Sequence, residues 1–381
     1  MTARILTAIT TLSVIACARA PQPRAQLEAG RVDTNWYAGG TDCTNQPQFR
    51  VQPYNDDFII MRQAACTNYE KPFLYLIFGR DRALLFDTGA GHVDVAARVD
   101  SLIQSWLNRR HQASIALVVA HSHAHGDHVA GDSQFVHRPN TVVVGRDTAA
   151  VRAFFGIQHW PADSGSIDLG GRVLDVLPIP GHQPASIALY DRRTGILLTG
   201  DTFYPGRLYV RDTAAFANSI DRLNDFVAHH RVTHMLGAHV EQSRTPYRDY
   251  PIGTVDQPEE HQLDLGRAEL VELDSVVRKM RGHFTRTALR DLTVWPQPQG
   301  RHPMNAGEWK AFLANWTREI AARDNTNPNT ARAIDPVYGF GYAGANDEPL
   351  AGAIALSTRA RGLASDLGIG EVESNLNLFG F

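Results

Sequence analysis

The chain has no cluster of basic residues: 37 Lys and Arg are set against 40 Asp and Glu, for a formal net charge of −3. Binding to nucleic acid rests on a concentrated positive field, so electrostatics gives no case for a nucleic-acid partner. Cysteine is scarce, at three residues in 381, and neither Cys43 nor Cys66 lies near the histidine-rich motifs described below. A cysteine ligand is therefore not expected. No repeat of fixed period is present, which excludes a solenoid or propeller. The most apolar terminal run, Ile5 to Ala16, is too short to span a membrane and no second span follows it. What remains, 43% hydrophobic and 20% charged residues, suits a soluble globular chain with one large domain and an appendage.

That short run reads as a targeting segment over residues 1–20. Arg4 supplies its positive end, and two processing sites are present. Ala18-Arg-Ala20 fits ordinary secretion. Val14-Ile-Ala-Cys17 resembles a bacterial lipobox, in which Cys17 is lipidated and tethers the chain to a membrane. We favour the lipobox, because it accounts for a cysteine otherwise unexplained. The expected location is outside the cytoplasm, as a periplasmic protein or an outer-membrane lipoprotein of a bacterium. Pro21 to Gln26 then serves as a tether that opens a segment 21–54. In such a compartment Cys43 and Cys66 could pair, which on the chain-entropy estimate is worth about 3 kcal/mol. Two buried thiols are the alternative.

The most informative stretch is His123-Ala-His125-Gly-Asp127-His128, four potential metal ligands in six residues. It follows Ile115-Ala-Leu-Val-Val-Ala120, a short β-branched run that reads as a buried strand. The ligands then sit on the loop at the strand's C-terminal end, where open α/β sheets place their chemistry. Alternation points His123 and His125 the same way, while Asp127 and His128 diverge to serve a second ion. Three later strand-like runs each end in a further ligand. Val173 to Ile179 runs into Pro180-Gly181-His182, Gly195 to Gly200 into Asp201, and Val232 to Ala238 into His239. His123, His125 and His182 make one site with an open position. Asp127, His128 and His239 make the other, and the Asp201 carboxylate can bridge them.

In this order the motifs resemble those of the metallo-β-lactamase fold superfamily. They are Leu84-Leu-Phe-Asp87-Thr-Gly89, then Ser122 to His128 with Gly131, then Gly181-His182, Gly200-Asp201 and Gly237-Ala-His239, spanning about residues 55–245. The resemblance implies an α/β fold, the αββα sandwich. It also implies a dinuclear centre, usually two zinc ions per chain, at one edge between the sheets. Asp87 would be structural, not a ligand. A bridging Asp at 201 is similar to the glyoxalase II and lactonase branches, whose members hydrolyse thioesters, lactones and related esters with a metal-bridging hydroxide. The β-lactam-degrading branches carry Cys or Ser there, and β-lactam hydrolysis is kept as the alternative. Asp127 is expected to orient the nucleophile. Tyr204, in Asp201-Thr-Phe-Tyr204, resembles a tyrosine that donates to the substrate carbonyl in the lactone-hydrolysing branch. An ordinary packed aromatic is the other reading of Tyr204. A non-catalytic member would have lost ligands, and an oxygen-reducing diiron member would need a flavin-binding segment that does not follow here.

The other histidines lack this pattern. His121 reads as a packed residue or one supporting the ligands, His159 as a possible pocket residue, and His229, His230 and His234 as satisfied locally. Residues 246–381 are expected as a helical and irregular extension. Pro246 to Pro258 would rim a pocket, and Glu259 to Met280 reads as an amphipathic helix with Leu263, Leu265, Leu270, Leu273 and Val277 on one face. A second helix is expected over Ala306 to Ala322 with Trp309, Phe312, Leu313 and Trp316 as its stripe. Asp324 to Phe381 reads as loop, with one helix around Pro349 to Leu363. The substrate is a small molecule, and its identity and the oligomeric state stay open.

Overall fold

Strong alternation of what each strand faces is the first fact of the computed structural model, which describes residues 26–37, 43, 46–250, 254–280 and 284–297. The expected targeting segment with Cys17, the helix at Ala306–Ala322 and the tail from Asp324, with its helix around Pro349, lie outside the described residues.

The first sheet takes its strands in chain order: β1 (Phe49–Asn55), β2 (Phe58–Gln63), β3 (Phe73–Phe78), β4 (Arg82–Phe86), β5 (Ala116–Ala120) and β6 (Thr141–Val143). β1 to β4 form an antiparallel meander, and β5 and β6 then run parallel to β4. The chain continues through β7 (Gly165–Asp168), β8 (Val173–Pro178), β9 (Ile187–Asp191), β10 (Ile196–Gly200), β11 (Arg207–Val210), β12 (His234–Gly237) and β13 (Asp264–Leu265). The second sheet has the order β13-β12-β10-β9-β8-β7, antiparallel except for the β10–β12 pair. β11 instead joins β14 (Thr287–Ala288) and β15 (Thr293–Pro296) in a three-stranded sheet. The helices are α1 (Val95–Arg110), the single turn α2 (Gly126–Val129), α3 (Thr148–Phe155), α4 (Thr213–His229) and α5 (Arg267–Lys279).

Three apolar clusters stack these elements as helix, sheet, sheet, helix. Between the sheets, Ile60, Tyr75, Ile77, Leu84, Phe86 and Val118 meet Leu174, Val176, Ile187, Leu189, Ile196 and Leu198. The alternate residues of the first sheet, among them Ile59, Met61, Leu76, Leu85 and Val119, cover Val95, Val99, Ile103 and Trp106 of α1. Those of the second, such as Leu177, Ala188, Leu197 and Met235, cover α4 and α5. Strands apolar on both faces are the expected consequence of burial between helices and a second sheet. This is the αββα sandwich.

α1 and α4 begin where an aspartate caps them: Asp94 accepts from Ala97 N–H and Asp212 from Ala215 N–H, each at 2.9 Å. The last described helix is shorter than expected. Helix was expected from Glu259, but α5 starts at Arg267, and Leu265 is instead a strand residue paired with Met235. Leu263 and Leu265 follow a two-residue period that the helical spacing of the later leucines obscured. The start is set by Gly266, extended and donating its N–H to the Glu269 carboxylate at 2.8 Å. Elements outside residues 55–245, namely β1, β13, α5 and β15, pack into the same sheets and cores.

Candidate metal centre

Four chain segments arrive at one rim of the sandwich, each just past the end of a strand. The loop after β5 carries His121 to His128, the turn after β8 carries His182, and β10 and β12 run into Asp201 and His239. Backbone hydrogen bonds tie the segments together: Ile187 N–H to Ser122 O (2.9 Å), Ala238 N–H to Gly200 O (3.0 Å) and Asp87 N–H to Ala120 O (2.9 Å). Gly200, at φ +51°, lies so close to the first-sheet loop that a Cβ would stand 2.7 Å from Ser122 Cβ. Close approach of the two sheets at this point thus requires a glycine.

The seven candidate ligands fall into two groups, His123, His125 and His182 in one and Asp127, His128, Asp201 and His239 in the other. In the first, His123 Nε2 lies 2.9 Å from His125 Nδ1, and His182 Nε2 lies 3.1 and 2.8 Å from those two atoms. In the second, Asp127 Oδ2 lies 3.1 Å from both His128 Nε2 and His239 Nε2, which are 3.3 Å apart. Asp201 stands between them. Its Oδ1 is 3.5 Å from His128 Nε2 and His239 Nε2, while Oδ2 is 3.5 Å from His182 Nε2 and 3.8 Å from His123 Nε2. One carboxylate oxygen faces each group.

In four of the five ligand histidines the opposite ring nitrogen meets an acceptor that fixes the imidazole's orientation, as expected around a metal. His182 Nδ1 reaches the Tyr209 carbonyl at 2.8 Å, and His239 Nδ1 the Glu70 carbonyl at 2.9 Å. His128 Nδ1 lies 2.9 Å from Asp87 Oδ2 and His123 Nδ1 3.1 Å from Ser122 Oγ. Asp87 itself, at φ +70°, accepts from the Ser122 N–H (2.7 Å) and hydroxyl (2.8 Å). It supports ligands and is not one. The carbonyls of Glu70 and Tyr209 were invisible to sequence reasoning because every residue has one; Ser122 was inside the motif and could have been assigned.

The electrostatics favours a cation. Burial pulls His123, His125 and His182 below the ordinary imidazole range, which favours the neutral rings that ligate metal. Burial alone would raise the Asp201 carboxyl, yet the His239 and His128 charges hold it at about 2. His239, pulled down by the same burial, is raised to about 9 by Asp201 and Asp127. Asp127 and Asp201 thus draw positive charge toward His128 and His239. A divalent ion would offset these carboxylates with coordination geometry, and Asp127 Oδ2 and Asp201 Oδ1 are buried without a hydrogen-bond partner. The residues fit a pair of metal ions.

Neighbouring candidates fall outside this set. His121 is buried and bonded to Asp132 at 2.8 Å, a supporting position. His159 is not a pocket residue: its side chain is 82% exposed and paired with Asp163. The triad at the end of α4 is settled locally, with His229 and His230 on helix carbonyls and His234 paired with Asp264. Tyr204 is 1% exposed, and its hydroxyl donates to the Arg207 carbonyl and lies 3.2 Å from Glu241 Oε2. That is the packed arrangement, with the phenol engaged by the scaffold. Cys43 and Cys66 form a disulfide.

Comparison with known proteins gives the following similarities. Residues 71–255 match the family model described as metallo-beta-lactamase superfamily. A bovine acyl-coenzyme A thioesterase, MBLAC2, is 28% identical over 201 residues, which are 44% of this chain and 72% of that protein. A hydroxyacylglutathione hydrolase of Gloeothece citriformis is 31% identical over 116 residues, 28% of this chain and 45% of that enzyme. The chain thus spans less than half the length of the latter relative. Among solved structures, a metallo-beta-lactamase from Pontibacter korlensis is 18% identical with a TM-score of 0.41, covering 61% of this chain and 99% of that one.

Proposed function

From the premise that this chain belongs to the metallo-β-lactamase superfamily, we propose that it is a dinuclear zinc hydrolase of an ester-type bond, in a thioester, lactone, carboxylic ester or phosphoric ester. The observation that carries the reading is Asp201, with one oxygen toward each group of ligands. His123, His125 and His182 would hold one ion and Asp127, His128 and His239 the other. An all nitrogen and oxygen donor set of this kind suits zinc. When bound, such a pair would acidify a water and polarise the scissile carbonyl or phosphoryl oxygen.

The chain's own groups supply placement. Asp127 has the most exposed side chain in the second group, at 11% against 3% for His239 and 0% for His128, so it is the member of that group that solvent reaches. It is placed to orient the attacking water. Ser122, Asp87, Glu70 and Tyr209 keep the imidazoles in register through the bonds given above. Two relatives whose names state thioester-type substrates, an acyl-coenzyme A thioesterase and a hydroxyacylglutathione hydrolase, support thioesters as the first class to try. We also propose export, a reading supported by the Cys43–Cys66 disulfide, since such bonds persist in oxidising compartments, and, from Val14-Ile-Ala-Cys17 alone, a lipid anchor at Cys17.

Elemental analysis of purified protein, with turnover measured on thioesters, lactones, phosphodiesters and the β-lactam nitrocefin, tests the reading. About two zinc ions per chain and turnover of at least one ester class are expected. One ion or fewer in an active preparation overturns the dinuclear centre. Nitrocefin turnover above that of every ester overturns the substrate class.

A further inference from the structure

The loop between β2 and β3 grips the segment that carries His239 at three consecutive residues. Phe73 N–H donates to Ala238 O at 2.7 Å, the Glu70 carbonyl accepts from His239 Nδ1 at 2.9 Å, and Lys71 Nζ donates to Val240 O at 2.8 Å. Only the last of these uses a side chain of the loop itself. Lys71 is 4% exposed, and its ammonium also donates to Gln257 Oε1 at 2.6 Å. Its backbone sits at φ +40°, a conformation that a long side chain adopts only when its surroundings impose it.

A buried ammonium is a poor way to stabilise a fold. Burial, helped by the nearby Arg62 charge, pulls this amine down to about 7, so folding works against its charge. A buried charge carries a desolvation cost that its hydrogen bonds must offset. What an apolar residue cannot do is donate to the Val240 carbonyl, one residue past a ligand. Gln257 in turn belongs to the segment anchored by the buried Arg62–Glu260 ion pair and the Tyr37–Asp256 hydrogen bond. The ammonium therefore joins two separate parts of the chain, its own loop and the Gln257 segment, to the backbone beside His239.

We propose that Lys71 is a positioning residue for His239, setting the geometry of the Asp127–His128–His239 half of the centre and leaving the His123–His125–His182 half untouched. This rests on the metal-pair reading above. The test is zinc titration of the apo protein against a competing chelator, for the wild type, Lys71→Met and Lys71→Gln. The wild type should take two ions. Lys71→Met should leave the affinity for one ion unchanged and bind the other about tenfold or more weakly, the usual effect of losing a supporting group around a metal. Lys71→Gln, which retains an N–H donor, should recover part of the loss and serves if Lys71→Met fails to fold. In a His239→Ala background, Lys71→Met should change zinc affinity no further. Long-range nitrogen–proton NMR of the apo protein should show the His239 ring resonances moved and those of His123 in place.

Equal weakening of both ions, or an effect that persists in the His239→Ala background, would make Lys71 a general support of the fold and overturn the proposal. So would wild-type affinity for both ions in Lys71→Met. Fewer than two ions in the wild type overturns the metal-pair reading first, and this inference with it.

Discussion

The two sheets furnish the same centre in opposite ways. The first sheet contributes four ligands from one loop of six residues after β5; the second contributes three, at 182, 201 and 239, one from each of three strand ends. In the first, local geometry does nearly everything. His123 and His125 alternate along extended chain, and the turn of α2 swings Asp127 and His128 toward the second group. In the second, nothing local relates the ligands. Their relation comes from the parallel register of β10 and β12, which sets Gly200 opposite Gly237, and from Gly181 O accepting the N–H groups of Arg211 and Asp212. A centre built this way should tolerate changes in the first loop's backbone and be brittle in the second sheet.

Asp201 is where the two contributions meet, and its removal should have the largest effect. Asp201→Ala is expected to lose at least one ion and lower ester turnover by two or more orders of magnitude, where each ~1.4 kcal/mol of transition-state stabilisation is tenfold in rate. Asp201→Cys should retain more metal, since a thiolate binds zinc, but less activity than its metal content suggests. Steady-state kinetics beside metal analysis decides this. Full activity and metal in Asp201→Ala would mean the two groups of ligands share no bridge.

A matched pair of glycines sharpens the comparison at smaller scale. Gly181 sits at φ +139°, and a Cβ there would stand 2.5 Å from the Phe216 backbone on α4. Gly181→Ala should therefore push the His182 turn away from α4, costing roughly 1–3 kcal/mol as overpacking does. The ion held by His123, His125 and His182 should weaken with it. At Gly126, inside the first-sheet loop, an added Cβ meets nothing within 4 Å. Gly126→Ala should leave stability within about 0.5 kcal/mol. Thermal melts and zinc titrations of the two variants check the contrast. Similar losses in both would show that the first loop is as dependent on tertiary packing as the second sheet.

The same contrast explains what could be read in advance. His123 to His128 declared themselves because ligand spacing and a preceding strand lie in one window of sequence. His182, Asp201 and His239 were legible only as a set, each closing an apolar run, since singly each is an ordinary strand end. Lys71 and the Glu70 carbonyl were out of reach: they approach His239 across a sequence separation of 169 residues for both hydrogen bonds. No periodicity encodes that. The start of α5 was misplaced because Leu263 and Leu265 fit a helical stripe almost as well as a strand, and only the extended Gly266 separates the two. The pairing of Cys43 with Cys66, left open from composition, needed the fold to bring the two Cα atoms to 5.4 Å.

Tyr204 is the mildest test, because it asks whether a residue beside the second-sheet ligands acts on substrate or on the scaffold. Its ring lies edge-on to His239, with centroids 5.6 Å apart, and its hydroxyl is turned to the Arg207 carbonyl and the Glu241 carboxylate. Burial, reinforced by the Glu241 charge, raises this phenol well above its ordinary range, so it keeps its proton throughout the accessible pH range. That proton is committed to the Arg207 carbonyl. Removing the hydroxyl leaves a buried carbonyl short of a donor, a loss of about 1–3 kcal/mol in stability. Turnover has no such dependence. Tyr204→Phe should lower the melting temperature by several degrees while kcat stays within about threefold and zinc content is unchanged, because the ring that packs on His239 is retained. A donor to the developing oxyanion behaves otherwise, since losing one costs on the order of a hundredfold or more in kcat. A fall of that size in Tyr204→Phe, at full zinc content and with little change in melting temperature, would return the phenol to the reacting side of the centre.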